Sequence, residues 1–270
     1  MNAEQKLKKE KLLKKIQQFT LMDDDYMTRF FDGEIECVQE VLRILLERKD
    51  LKVTAAKGQE GIKNLKGRSV RLDVFARDSK GKPYDIEVQR ADKGAGAKRA
   101  RYNSALMDAD ELLPGDDTEK LPETYVIFIT ENDIYKEGLA LYKIDRYING
   151  TKAFNDGAHI IYVNGQYRGN DPIGDLMHDF SCSKADDMKN SVLANRARYL
   201  KEDTKGVSQM CKIMEDFAKE EITEAKMKLA LENLEKGLIS ENQISALYSL
   251  TQKQVAKVLE VYHSKVAVQA

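Results

Sequence analysis

Asp73 and Glu87 are the residues of this chain whose types and spacing could do chemistry together. They lie in Ser69 to Arg90, SVRLDVFARDSKGKPYDIEVQR, which reads as two strands joined by a turn. Val70, Leu72, Val74 and Ala76 alternate with Arg71, Asp73 and Phe75, the period of a half-buried strand, and this leaves Asp73 among the non-buried alternates. Tyr84, Ile86 and Val88 alternate with Asp85, Glu87 and Gln89, and Asp78 to Pro83 between them has the composition of a hairpin loop. The two acids can then stand side by side on one polar face. Close carboxylates repel, so a pair held on rigid strands is either solvated surface or a site for a divalent cation such as Mg²⁺, which prefers hard oxygen ligands.

A second cluster follows at once. Lys98, Arg99 and Arg101 with Tyr102 form KRARY near the start of a helix, after Gly94 and Gly96. A helix N-terminus exposes backbone N–H groups, and basic side chains there suit a phosphate. The plainer reading is a basic helix surface paired with Asp92 or Asp108. Arg99 and Tyr102 share a face with Leu106, which favours the phosphate reading.

The elements that must position these groups are legible in outline. Phe31, Ile35, Val38, Leu42 and Leu45 recur at helical spacing and predict one helix from Met27 to Arg48, with Glu36 and Glu40 together on its flank. Leu51 to Ala55 reads as a strand followed by a polar connector. After the two acid-bearing strands, the Gly94 and Gly96 segment opens a helix running to about Leu113, where Pro114-Gly115 stops it. Thr124 to Thr130, TYVIFIT, is the nearly continuous apolar run of a strand covered on both faces, and Leu139 to Ile144 and His159 to Val163 extend or flank it. Helices in this order can cover both faces of a sheet, which makes an α/β domain.

The remaining segments flank this domain. Residues 1–19 form a basic helical arm with Leu7, Leu12, Leu13 and Ile16, read as docking on the domain rather than on an anionic partner. The domain is expected over 20–183 and a helical C-terminal region over 184–270. Ser240 with Gln243 and Thr251 with Gln254 look like capping boxes of two short helices near 242–248 and 252–262, with Leu247, Tyr248, Leu250, Val255, Val258 and Leu259 as their shared core. Residues 240–263 fit a helix-turn-helix or, equally, a packing hairpin, and the long charged helix near 207–235 suits a homodimer.

Composition narrows the function classes. The 270 residues carry a formal net charge of −1, so no global field draws nucleic acid or acidic membrane and any nucleic-acid site must be a local patch. Cys37, Cys182 and Cys211 are far apart, with no metal-ligand spacing, and read as reduced cytoplasmic thiols. The N-terminus lacks the apolar core of a signal peptide and no run of 18 apolar residues occurs, so the sequence predicts a cytoplasmic chain without membrane spans. His159, His178 and His263 are scattered and read as structural, and Asp175, Asp179, Asp186 and Asp187 read as a solvated acidic patch.

The helix, strand, strand, strand, helix, strand order, with Asp73 on the second strand and Glu87-Val88-Gln89 on the third, resembles the PD-(D/E)XK nuclease superfamily. Within it the string GRSVRLDVFARDSKGKPYDIEVQR, followed by KRARYNSALMDAD, is similar to the recombination-promoting nuclease and transposase group. The likeness runs from about Thr20 to HDFSC at 178–182 and ANRARYLKED at 194–203. It implies a restriction-endonuclease-like αβββαβ core, a mixed central sheet flanked by helices, with an all-helical C-terminal extension. It further implies a Mg²⁺- or Mn²⁺-dependent DNA endonuclease linked to recombination or mobile elements, with Asp73, Glu87 and the Val88 carbonyl as cation ligands. Glu36, in a segment similar to the group's ECVxxxLRxxL, would be the helix acid, with Glu40 as the alternative. Lys98, Arg99, Arg101 and Tyr102 would hold the DNA backbone. Two positions depart from the parent motif: Leu72 replaces its proline and Gln89 its lysine. Glutamine can hydrogen-bond a phosphate or the attacking water but cannot act as a base. A nuclease fold that only binds DNA or a protein partner is therefore the alternative.

Overall fold

The computed structural model describes residues 3–63, 69–90 and 92–269; Gly67, Arg68 and Ala91 of the strings above lie outside them. The chain divides into two compact units, residues 1–207 and 208–270.

The first unit opens with three helices, α1 (Ala3–Gln18), α2 (Asp24–Phe31) and α3 (Ile35–Leu45). The single helix expected over Met27 to Arg48 is thus two. Gly33 takes φ +74, a left-handed conformation that stops the helix between Phe31 and Ile35 and lets α3 start in a new direction. Ile35 is accordingly exposed while Val38, Val41, Leu42 and Leu45 are buried. At the end of α1, Ile16 is buried and Gln17 Nε2 donates to the Lys201 carbonyl at 2.7 Å.

Among the described residues eight strands form two sheets. Six form one sheet in the order β1-β2-β3-β4-β8-β5: β1 (Val53–Ile62), β2 (Val70–Asp78), β3 (Pro83–Gln89), β4 (Thr124–Thr130), β5 (Leu141–Ile144) and β8 (Ala158–Asn164). A small hairpin, β6 (Tyr147–Ile148) and β7 (Lys152–Ala153), stands apart from it. The first strand is twice as long as the sequence suggested, because Lys57 to Ile62, expected as connector, pair with β2 opposite Phe75 to Val70. β1, β2 and β3 are antiparallel, whereas β3, β4 and β8 are parallel. The parallel step from β3 to β4 is bridged by α4 (Ala97–Glu111), entered through a 3-10 turn at Asp92–Ala95.

α4 lies over one face of the sheet. Ala100, Leu106 and Met107 join Val126, Phe128 and Tyr162 in one buried cluster. The helix is strapped at its far end by Arg77, whose Nη1 donates to Glu111 Oε2 at 2.9 Å. α2 and α3 pack on β1, and α2 also meets β2 and β3. After β8, α5 (Pro172–Ser181) and α6 (Ser191–Glu202) complete the unit, with α6 donating from Arg196 to the Phe30 and Arg29 carbonyls. Residues 184–202 therefore pack with the α/β unit.

Asp179 does not belong to a solvated patch. It is fully buried and its two oxygens accept the backbone N–H groups of Lys189 and Asn190, each at 2.8 Å, which fixes the entry to α6. Asp186 and Asp187 remain exposed.

The second unit contains most of α7 (Thr204–Glu235), with α8 (Ile244–Tyr248) and α9 (Gln252–Gln269). Gln243 Oε1 accepts from the Ser240 N–H at 2.9 Å and Gln254 Oε1 from the Thr251 N–H at 2.8 Å, the reciprocal halves of the two capping boxes. Ile244, Leu250, Val255 and Val258 pack with Ala230 and Leu234 of α7, but Leu247 faces solvent. Ser249 supplies the left-handed residue of the turn at φ 54, the place that glycine often fills.

Replacing the buried Asp179 leaves the Lys189 and Asn190 N–H groups without its two acceptors, so Asp179→Ala should lower the unfolding free energy by about 2 kcal/mol. Urea melts of the two proteins measure this, and a loss below ~1 kcal/mol would remove Asp179 from the groups that hold α6.

Candidate active site

β2 and β3 pair only from Val74 opposite Ile86 to Arg77 opposite Pro83. The next residues along are Asp73 and Glu87, and there the ladder gives way to side-chain contacts. The Asp73 N–H donates to Glu87 Oε1 at 3.3 Å, and the Val88 N–H donates to Asp73 Oδ2 at 3.3 Å. Each strand thus satisfies a backbone donor with the other strand's acid. The two acids are brought together at the point where the strands part.

The face that carries them is buried rather than solvated. Asp85 and Glu87 are both 0 % exposed, because β3 continues in parallel with β4 and α4 covers Asp85, Glu87 and the neighbouring Val126 and Phe128. From α4, Asn103 Nδ2 donates to Asp85 Oδ2 at 3.0 Å and reaches Glu87 Oε1 at 3.5 Å. Asp85 Oδ1 is enclosed without a hydrogen-bond partner among the described residues. Arg99, one turn earlier on the same helix face, forms an ion pair with Glu87 Oε2 through Nη2. Its Nη1 donates to the Gly94 carbonyl at 3.1 Å and its guanidinium lies over the Phe128 ring at 5.8 Å.

Burial and mutual repulsion shift these acids strongly. Asp73 is raised to about 8, by desolvation first and then by Glu87 and Asp24, against the opposing pull of Arg99 and the Val88 N–H. Asp85 is raised well above the carboxylate range by complete burial and by Glu87. Burial and the neighbouring carboxylate both push this group toward its neutral form. Glu87 is raised by burial, with Arg99, the Asp73 N–H and Asp85 working the other way.

Asp24 is the acid of the first helices whose charge acts on Asp73. It sits in the first turn of α2, is raised by desolvation, and is the next charge after Glu87 acting on Asp73. Glu36, the residue expected in that role, stands exposed in the first turn of α3, and its charge acts on Cys37. Glu40 accepts from Asn190 Nδ2 at 3.0 Å, on the α5 and α6 side of α3. The break at Gly33 explains the exchange: α2 and α3 do not share one acid-bearing flank.

Gln89 ends β3. Its amide lies against the 3-10 turn, where a Cβ on Gly94 would fall 1.9 Å from Gln89 Oε1 and push the amide aside. Lys98 and Arg101 are exposed on α4, whereas Tyr102 packs against the buried cluster beneath. A cleft of about 850 Å³ opens between the start of β2 and the first turns of α4, lined by Arg71, Lys98, Arg99, Arg101, Tyr102 and Asn103 among others. The cleft is cationic at its rim, and the carboxylates reach it through Arg99. The carboxylate oxygens of Asp73 and Glu87 are hard donors of the kind that Mg²⁺ or Mn²⁺ takes.

Residues 35–166 match the family model described as PD-(D/E)XK nuclease family transposase. That segment, which contains Asp73 and Glu87, is what the chain shares with the family. Comparison with curated proteins and with solved structures gives no match. The mixed six-stranded sheet flanked by helices agrees with a PD-(D/E)XK fold, and the family is nuclease-like, its nucleases being users of divalent metals. Asp24 lies before the matched segment, whereas Glu36 lies within it. Asp85 and Asn103 were readable in principle: Asp85 shares the face of Glu87, and Asn103 follows Arg99 at i+4. Arg71 was readable too, two residues before Asp73 on the same face of β2.

Because the fold raises Asp73 above its unfolded value of 3.8, its contribution to stability is complete below that pH and is lost as the pH rises through about 8. Metal-free protein should therefore lose stability over this window, and Asp73→Asn, which cannot ionise, should lose less. At pH ~8.5 the variant should melt at least ~2 °C above wild type, the shift that about 1 kcal/mol produces in a chain of this size. Calorimetry of both proteins in chelator tests this, and a variant that melts lower overturns the assignment of Asp73 as a strained acid.

Proposed function

We propose that this PD-(D/E)XK family protein is a divalent-metal-dependent DNA endonuclease acting in recombination or in the movement of mobile elements. The observation that carries the reading is the meeting of Asp73 and Glu87 where β2 and β3 part, with Glu87 paired to Arg99 in the wall of a cleft that Arg71, Lys98 and Arg101 also line. Hydrolysis of a phosphodiester requires neutralised phosphoryl oxygens and a positioned water. Asp73 and Glu87 would hold Mg²⁺ or Mn²⁺, with the Val88 carbonyl as a further oxygen ligand. The bound cation would supply Lewis acidity toward the phosphate and lower the pKa of a bound water.

The chain's own residues do the rest. Lys98 and Arg101 hold the DNA backbone at the rim, contacts that position the duplex without reading its sequence. Tyr102, packed from below, stiffens that rim. Gln89 donates its amide to a phosphate oxygen or accepts from the attacking water, and cannot remove a proton from it. Asp24, accessible and held above the ordinary carboxylate range, is the group suited to accept that proton, in place of Glu36 as the helix acid. In the C-terminal unit, Ile222 and Leu229 are exposed one heptad apart on α7, which supports self-association through these helices as a homodimer. Gln252, Lys253, Gln254 and Lys257 on α9 support the helix-turn-helix alternative.

Gln89 also supports a second reading, a nuclease fold that binds DNA or a protein partner without cutting. Nicking of supercoiled plasmid in Mg²⁺ or Mn²⁺ separates the two. Asp73→Ala and Glu87→Ala should each reduce the rate at least ~100-fold, and Asp24→Ala should reduce it by a comparable factor, on the order of 100-fold, as for loss of a general base. Glu36→Ala should stay within about two-fold of wild type, as a surface change away from the site does. Unchanged cutting by the Asp73 and Glu87 variants would reject the site. Wild type that binds DNA with metal and never cuts would establish the binding module.

A further inference from the structure

Arg99 is buried in a contradiction if its only task is to hold DNA. Its guanidinium is paired with a carboxylate that is 0 % exposed, and its second nitrogen is committed to the Gly94 carbonyl. Its charge lowers the proton affinity of Asp24, Asp73, Asp85 and Glu87 alike, so one cation serves four acids. At the same time its side chain is 39 % exposed and forms part of the cleft wall, between Lys98 and Arg101 on one side and Arg71 on the other. The group is placed to face either inward to Glu87 or outward to the cleft.

We infer that Arg99 is an exchangeable counter-ion: it neutralises Glu87 in the metal-free protein, and a divalent cation and a DNA phosphate together displace it outward, so that cation and DNA bind cooperatively. The inference rests on the nuclease reading above. Two cations drawn to one buried carboxylate repel each other in a medium of low dielectric, so a metal at Glu87 and a guanidinium on Glu87 Oε2 compete. Displaced alone, Arg99 would lose a charge-assisted pair and gain only water. With a phosphodiester in the cleft it gains two parallel N–H···O bonds, the arrangement that guanidinium and phosphate favour. Asn103 stays within reach of Glu87 Oε1 throughout, so the carboxylate keeps a donor when the arginine leaves. The coupling must be reciprocal: DNA tightens the cation by the same factor as the cation tightens DNA.

The experiment is calorimetric titration of the full chain with Ca²⁺, a cation that binds hard oxygen sites, in the presence and absence of a short DNA duplex. Wild type should bind Ca²⁺ about 10-fold more tightly with the duplex than without it. Arg99→Met, which keeps the length of the side chain and removes the competing charge, should bind Ca²⁺ about 10-fold more tightly than wild type without DNA and show little further gain with it. Equal or weaker Ca²⁺ binding by Arg99→Met without DNA overturns the inference and makes Arg99 a fixed support of Glu87. If Arg99→Met fails to fold, Arg99→Gln and Arg99→Lys take its place: Gln should repeat the Met result, Lys should retain competition, and Gln binding no tighter than wild type overturns the inference. Failure of the underlying reading looks different. In that case wild type takes up no Ca²⁺ under any condition, or takes it up equally after Asp73→Asn.

Discussion

The constraint on which the rest of the first unit depends is the confinement of like charges. Asp73, Asp85 and Glu87 crowd one face of the sheet, and two of the three have no contact with solvent. In such a place an unpaired carboxylate is far more costly than in water, so each acid must be protonated, paired or given N–H donors. All three devices operate here. Burial drives Asp85 toward its protonated form, Glu87 takes Arg99, and the backbone N–H groups of Asp73 and Val88 each donate to the opposite strand's acid. The opening of β2 from β3 follows from the same contacts, since an N–H given to a carboxylate is not available to the ladder.

α4 is the element that makes the confinement tolerable. Its Asn103 and Arg99 project onto the acids from one helix face, and its other end is tied to β2 through Arg77 and Glu111. The same strapping sets Lys98 and Arg101 at the rim of the cleft directly above. Basic residues that look equivalent in KRARY therefore divide by the helical repeat. Arg99 turns inward to charge balance, Lys98 and Arg101 face solvent, and Tyr102 anchors the turn in apolar packing.

Alternation and the apolar run of β4 made the sheet legible, and the common face of Asp73 and Glu87 follows from period two. What escaped was set by tertiary context. Lys57 to Ile62 look like connector because their side chains are polar, yet their backbone is needed by the edge of β2. The polar alternates of β3 look solvated because nothing in an alternation says that a helix will cover them. Gly33 was present in the sequence as the break between α2 and α3, but the apolar spacing on either side happened to run on in phase. That coincidence put Glu36 on the flank of one long expected helix, where the structure has two, and left Asp24 unnoticed before it. Asp179 was hidden for a related reason: among four aspartates in one segment, only the fold selects the one that turns inward to the α6 entry.

Gln89 takes on a different meaning once Arg99 is in view. The parent motif's lysine at that place would bring a positive charge to the acids from the end of β3. In this chain the charge comes from α4, and it already acts on every carboxyl of the group. A lysine at position 89 would stand against the 3-10 turn at Gly94, on the same side of the acids as the Arg99 contact with the Gly94 carbonyl. Two cations there would repel each other and weaken the pair with Glu87. A neutral amide of similar reach avoids that conflict while keeping a donor and an acceptor at the end of the strand. The glutamine and the arginine are thus one solution: charge supplied from the helix, hydrogen bonding from the strand.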